Sequence, residues 1–378
     1  MIVAGGGTGG HLYPGLAIAR ALVRLDASVV PHFVGAQRGI ERDVLPQTEF
    51  AHTLLDLHPL YRPQLWRNWR TIRGAASAWG AMGTLGRALA PRVVIGTGGY
   101  ASAAALAWAW SRRVPVVQHI GDSHPGLTAR MFCRIAAEAY LGFPEAEAYL
   151  HRGGCRYRDT GNPIEPPPDI RPDRAAARAR WGFPSNARVL LVFGGSQGAR
   201  ALNQAVAAWV ERGLPKQLCV IWATGKAQYD AYSQYDRADV KVVPYLSPIA
   251  DAYAASDVAF VRGGMMGTSE LCAWGVPMII CPLPTAAQDH QTSNAVALEG
   301  SGAALHLAQR DLSAEQLDAT VCGLLESPVR LAALAAGATA RARPHAATEI
   351  AQHILTIMRS GTTGTTGTTG TTGTASVA

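Results

Sequence analysis

Residues 1–11 constrain the fold more than any other part of this 378-residue chain. Met1-Ile2-Val3-Ala4 reads as a short buried strand that runs directly into Gly5-Gly6-Gly7-Thr8-Gly9-Gly10-His11. An apolar helical stripe follows, with Leu12, Leu16, Ala19 and Val23 on one face and Pro14 near the first turn. Strand, glycine turn and helix in that order aim backbone N–H groups and a positive helix end at one point, where phosphate is stabilised. Two more glycine-dense turns recur at Phe193-Gly194-Gly195-Ser196-Gln197-Gly198 and Arg262-Gly263-Gly264-Met265-Met266-Gly267. Three such turns imply a diphosphate-bearing ligand held between two similar halves.

The chain is long for a single core, so two domains are expected. Short apolar strands alternate with helical patterns, which implies parallel sheets covered on both faces. Strands are expected at Ser28–Val34, Arg92–Ile95 and Val114–His119, then at Arg188–Phe193, Leu218–Ala223, Val240–Val243, Val258–Val261 and Met278–Cys281. Helices are expected between them, among them Arg200–Arg212 and Gly267–Trp274. The proline-rich stretch Gly161–Pro168 reads as a stiff connection. It separates an N-terminal Rossmann-like unit, 1–162, from a C-terminal one, 163–344. A final helix over Ala346–Arg359 is expected to pack back on the first unit, and the Gly-Thr-Thr repeat in 361–378 to be disordered.

Charge is unevenly spread. No acidic residue lies between Asp56 and Asp122, yet the stretch holds eight arginines and five of the nine tryptophans. Arg62, Arg67, Arg70, Arg73, Arg87, Arg92, Arg112 and Arg113 interleave with Trp66, Trp69, Trp79, Trp108 and Trp110. Indole at an interface with guanidinium on lipid phosphate suits peripheral docking on an anionic membrane. The expected contacts are Trp66, Arg67, Trp69, Arg70, Arg73 and Trp110. Turns suited to a small diphosphate, with no RNA-binding motif, argue against nucleic acid. The longest apolar run, Ala101–Trp110, is too short to span a bilayer, and no signal peptide is visible. Six scattered cysteines without a C-x-x-C pair read as reduced cytosolic thiols.

Gly5, Gly7 and Gly10 match G-x-G-x-x-G, so a dinucleotide-binding dehydrogenase has to be weighed. That motif needs an acid about 20 positions on for the ribose; the second strand here ends Pro31-His32-Phe33-Val34-Gly35 without one. No glycine turn is followed by Lys-Ser or Lys-Thr, which excludes a P-loop. No D-x-D pair exists to hold a divalent ion on a diphosphate, so backbone and helix ends carry the expected chemistry, with no metal and no cofactor.

Gly6–His11 with Pro14-Gly15-Leu16-Ala17 resembles the opening of the MurG glycosyltransferases of peptidoglycan synthesis. Gly98-Gly99-Tyr100, Gly194–Arg200, Thr268-Ser269-Glu270 and Asp289-His290-Gln291-Thr292-x-Asn294-Ala295 extend the resemblance in order from Met1 to about Arg359. It implies two facing Rossmann-like α/β domains with doubly wound parallel sheets, the GT-B architecture. It also implies inverting, metal-independent transfer of N-acetylglucosamine from UDP to the C4 hydroxyl of lipid I, giving lipid II. UDP-N-acetylglucosamine, lipid I and an anionic membrane surface are then the partners, at the cytoplasmic face of the inner membrane.

The resemblance places Thr8, Gly9 and Gly10 beside the reacting sugar, Ser196 on the donor diphosphate and Leu246 against uracil. Met265, Met266, Gly267, Thr268, Ser269 and Glu270 would hold the nucleotide, with Glu270 accepting from both ribose hydroxyls, and Gln291 would read the sugar. His11 is the expected general base, with Asp122 as the alternative. Two departures leave the donor and acceptor open. The family's His-Glu-Gln-Asn is His119-Ile120-Gly121-Asp122 here, and its Gly-Asn-Pro-x-Arg ends in Glu165. A paralogue acting on another polyprenyl or glycolipid acceptor, or a UDP-sugar-binding protein without catalysis, is the alternative.

Overall fold

The computed structural model describes residues 1–58, 68–151, 153–195 and 198–360, with only the backbone at 68–70 and 72. Thirteen strands form two sheets among the described residues. The first sheet holds β1 (Ile2–Gly5), β2 (His32–Ala36), β3 (Ala51–Leu55), β4 (Val94–Gly98), β5 (Val116–Ile120), β6 (Glu138–Leu141) and β7 (Arg156–Asp159). The second holds β8 (Arg188–Phe193), β9 (Leu218–Ala223), β10 (Val240–Val243), β11 (Val258–Val261), β12 (Met278–Ile280) and β13 (Ala304–His306).

Both sheets are parallel throughout, in the orders β3-β2-β1-β4-β5-β6-β7 and β10-β9-β8-β11-β12-β13. In each, the chain winds outward from its first strand and then reverses, so a crevice opens beyond the carboxyl ends of β1/β4 and of β8/β11. Ligands bind open α/β sheets at such switch points. The three glycine turns sit there because they come at the ends of β1, β8 and β11, and Gly98-Gly99 lies at the end of β4.

Apolar strand residues and one helical stripe account for each core. Val3, Phe33, Ile95 and Val117 meet Leu12, Leu16, Ala19 and Leu22 of the helix Gly9–Leu25. The helix Ala346–Ser360 adds Ile350, Ala351, Ile354 and Leu355 to the same core, although it follows the second sheet in sequence. Trp209, Trp222 and Phe260 fill one side of the second sheet.

Polar contacts join the two halves. Arg341 forks onto Glu145 at 2.7 and 3.1 Å, and Arg343 reaches Asp159 at 3.0 Å. Buried Asn162, at the junction, donates to the Gly121 carbonyl at 3.2 Å and to Ser269 Oγ at 3.0 Å. The tail 361–378 lies outside the described residues.

Candidate active site

Thr8 caps the helix Gly9–Leu25 in extended backbone geometry, yet its hydroxyl makes no capping bond. Gly9 and Gly10 form the first turn, and His11 sits one residue further in. Its ring lies against Gly98 and Gly99, which have φ values of +105° and +75°. A Cβ on Gly98 would come within 2.6 Å of the His11 Nδ1, so glycine is required by both backbone and space. Burial lowers the His11 pKa, Asp122 pulls it back up, and His290 lowers it again. Neutral imidazole in the presence of a nearby carboxylate is the state a base needs.

Asp122 follows β5 and is not free. Its Oδ1 accepts from Asn294 Nδ2 at 2.8 Å, while the Ser123 N–H donates to Asn294 Oδ1 at 2.8 Å. The same amide donates to the Gly263 carbonyl at 3.0 Å, and Asn294 is fully buried. One side chain of the second half thus ties the Asp122 loop to the third glycine turn. Asn294 was legible only as part of a motif and not as a site residue; its spacing of three from Gln291 puts both on one face of the helix His290–Gly300.

His119, at the end of β5, is buried with neither ring nitrogen bonded. Burial above all, and then the neighbouring His11, pushes its pKa down to about 3. It is therefore a neutral imidazole behind His11.

The third glycine turn leads into the helix Met265–Trp274, whose cap is Gly264. The N–H groups of its first turn have no partner within the helix, as at any helix start, and such groups suit an anion. Thr268 Oγ bonds back to the Gly264 carbonyl at 2.9 Å, so its hydroxyl supports the helix start. Ser269 takes the Asn162 bond across the junction. Met265 extends from the second half towards Gly121 and Gly10 of the first, where any Cβ on Gly121 would strike its sulfur. Met266 is half-buried against the second core, and Gly267 lets the Phe193 ring close over the helix.

Glu270 sits in the second turn of this helix rather than the first. Tyr253 donates to its Oε2 at 2.6 Å, leaving Oε1 for a ligand. Burial raises the carboxyl pKa, the Tyr253 bond lowers it, and the exposed Glu165 raises it further. Leu246 is buried in the second core. Gln291 accepts the Leu283 N–H at 2.9 Å, which leaves its amide N–H groups available. Ser196 lies outside the described residues. The turn around it starts with Gly194 packed on Ala199 and leads into the helix Arg200–Arg212.

Trp66 and Arg67 also lie outside the described residues, as do the side chains of Trp69 and Arg70. Arg73 is exposed on the helix Asn68–Leu89, and Trp110 is 63% exposed on Ser102–Ser111. Trp79 is exposed as well, but Trp108 is core, packed on Gly86. No single described helix is long and apolar enough to cross a membrane.

Residues 1–141 match the glycosyltransferase family 28 N-terminal domain, and residues 189–354 match its C-terminal domain. The UDP-N-acetylglucosamine--N-acetylmuramyl-(pentapeptide) pyrophosphoryl-undecaprenol N-acetylglucosamine transferase of Salinibacter ruber is 37% identical over 372 residues, covering 94% of this chain and 96% of that protein. Its namesake in Moorella thermoacetica is 35% identical over 375 residues, covering 96% and 100%. The crystal structure of Acinetobacter baumannii MurG shares the fold with a TM-score of 0.74, at 24% identity and with 94% and 98% covered. The calicheamicin glycosyltransferase CalG4 does so at 0.67, with 15% identity and 94% and 98% covered. Two facing parallel sheets with glycine turns at both switch points, together with these matches along nearly the whole chain, show that it belongs to the MurG glycosyltransferases of family 28.

Proposed function

We propose that the protein is a hexosyltransferase that moves N-acetylglucosamine from UDP-N-acetylglucosamine to the C4 hydroxyl of lipid I, giving lipid II. The observation that carries this reading is the meeting of the two halves at the glycine turns, where Met265 of the Gly264-capped helix reaches Gly10 and Gly121, and Asn294 of the second half binds Asp122 beside His11.

UDP would lie on the second half. Leu246 would pack on uracil, the free oxygen of Glu270 would accept from the ribose hydroxyls, and the N–H groups after Gly264 with Ser196 would hold the diphosphate. Thr8, Gly9, Gly10 and the Gln291 amide would surround the sugar. The acceptor hydroxyl attacks the anomeric carbon from the face opposite UDP, which inverts its configuration. His11 takes the hydroxyl proton as the carbon–oxygen bond to phosphate breaks, and the bonding pair leaves with UDP. Helix N-termini stabilise that charge without a divalent ion, a reading supported by the lack of a D-x-D pair. Asp122 serves as a partner of Asn294 and as a source of negative potential for His11, rather than as the base.

The domain division at 162/163 belongs to this reading, with Asn162 at the joint. The same reading puts the exposed arginines and tryptophans of the first half on the anionic cytoplasmic face of the inner membrane. Purified protein incubated with a panel of UDP-sugars and a short-chain lipid I analogue, in EDTA, should transfer N-acetylglucosamine and release UDP. Turnover lost in EDTA and restored by magnesium or manganese would overturn the metal-free mechanism. No transfer to lipid I under any condition would overturn the acceptor.

A further inference from the structure

The first glycine turn already holds an anion, and that anion belongs to the protein. A short helical turn, Glu41–Val44, follows β2 and puts the fully buried Glu41 side chain beneath the loop. The Gly7 N–H donates to Oε2 at 2.9 Å and to Oε1 at 3.1 Å, and the Ala36 N–H donates to Oε1 at 2.7 Å. Gly6, Gly35 and Gly39 line the seat, and a Cβ at any of them would collide with the Glu41 side chain. The nearby arginines are turned elsewhere, Arg42 to Asp43 at 2.9 Å and Arg38 to Asp56 at 3.6 Å. Backbone N–H groups, not a cation, therefore meet the buried charge.

This seat is what a glycine turn otherwise offers to phosphate. Two like charges cannot share it at short range. Gly6 and Gly7 have φ of +156° and +91°, and the carboxylate bonds reach the Gly7 N–H, in the loop that leads into Thr8 and His11.

We propose that Glu41 is a positioning residue for the transfer: it fills the anion seat of the first glycine turn, fixes the loop that presents His11, and excludes substrate diphosphate from that seat. The inference rests on the proposed reading of the crevice, in which UDP sits on the second half and His11 is the base. It assigns the donor phosphates wholly to the second half and requires the acceptor diphosphate to bind away from residues 5–7.

A structural role alone would not move the titration of His11, whereas a buried charge beside its loop does. The groups acting on the His11 ring are Asp122 and Glu41, which raise its pKa, His290, which lowers it, and the Thr97 backbone, which raises it. His119 lies behind it, neutral. Glu41→Gln keeps the shape and removes the charge. UDP affinity by calorimetry should stay within about twofold, while kcat falls by roughly tenfold or more. His11 must be neutral to act, so losing a negative charge should move the acidic limb of the kcat/KM profile to lower pH. Glu41→Ala empties the seat, and added formate should restore turnover where formamide does not. Unchanged kcat with the limb in its wild-type place would overturn the proposal, as would equal rescue by formate and formamide. Loss of UDP binding in Glu41→Gln would also overturn it, because the residue would then support the whole fold. Wild-type enzyme that fails to turn over UDP-N-acetylglucosamine with lipid I refutes the functional reading instead, a result visible before any Glu41 variant is made.

Discussion

At His11, burial and a nearby carboxylate pull in opposite directions, and burial is the larger effect. The imidazole is therefore neutral near pH 7 and able to accept a proton. His11→Ala should lower kcat by roughly 10²–10⁴-fold with donor affinity little changed. Asp122→Asn keeps an acceptor for Asn294 and should leave turnover within about tenfold of wild type. The reverse pattern in steady-state kinetics would make Asp122 the base. Glu270 supports a second test. It must be ionised to accept strongly from ribose, and its pKa is raised chiefly by burial. Uridine affinity should thus fall as pH drops, starting above the usual carboxylate range. Uridine serves here because it carries no phosphate to titrate. Glu270→Ala should cost about 1.5–3 kcal/mol of UDP binding and flatten the pH dependence. Calorimetry showing unchanged affinity in a folded variant would remove Glu270 from the site.

Among the elements, β8 and β11 are locked at their N-terminal ends by a buried ion cluster. Asp257 accepts from Arg178 at 2.7 Å, from Arg174 at 3.1 Å and from the Val189 N–H at 2.8 Å. Arg178 is itself buried and also donates to the Ala255 and Ser185 carbonyls. Removing the acid strands that charge, so Asp257→Ala should lose about 3–5 kcal/mol in urea unfolding. A loss no larger than that of an exposed pair such as Arg237–Asp239 would contradict this account. None of this cluster is visible in sequence, because Asp257 lies 83 positions from Arg174 and 79 from Arg178 and meets them only once the sheet folds. The apolar strands were visible, since Arg188–Phe193, Leu218–Ala223, Val240–Val243 and Val258–Val261 match expectation. Pro31 and Pro115 lack an N–H, and β2 and β5 start just after them, later than expected. The edge strands β3 and β7 give no signal because His52, Thr53, Arg156 and Arg158, none of them buried, stand in place of an apolar run. β6 escaped because Glu138 sits at its start, held by Arg158 at 2.8 Å. At the site, the glycine turns were legible as motifs. The Glu41 seat was not, because an isolated glutamate 34 positions from Gly7 gives no pattern until the sheet folds.

At the scale of the whole molecule, the acid-free stretch 57–121 is the part that we propose meets a membrane. Helices Asn68–Leu89 and Ser102–Ser111 pack together through Gly86 and Trp108, and Arg73, Arg87, Arg112 and Arg113 are exposed, as are Trp79 and Trp110. None of these four arginines forms an ion pair among the described residues, and no acid lies between Asp56 and Asp122 to supply one locally. Unpaired guanidinium groups near an anionic surface contribute about 1 kcal/mol each. Four together would therefore account for about 4 kcal/mol, or roughly a thousandfold in partitioning. Replacing Arg73, Arg87, Arg112 and Arg113 with Gln should abolish sedimentation with anionic liposomes, and raising salt should release the wild type as its charges are screened. Trp110→Ser should weaken binding with little change in its salt dependence, because the indole contributes through burial at the headgroup layer rather than through charge. Turnover of a water-soluble acceptor analogue should survive in the quadruple variant, since none of the four lies in the crevice. Equal binding of wild type and quadruple variant to neutral and anionic vesicles would remove this face from contact with the membrane.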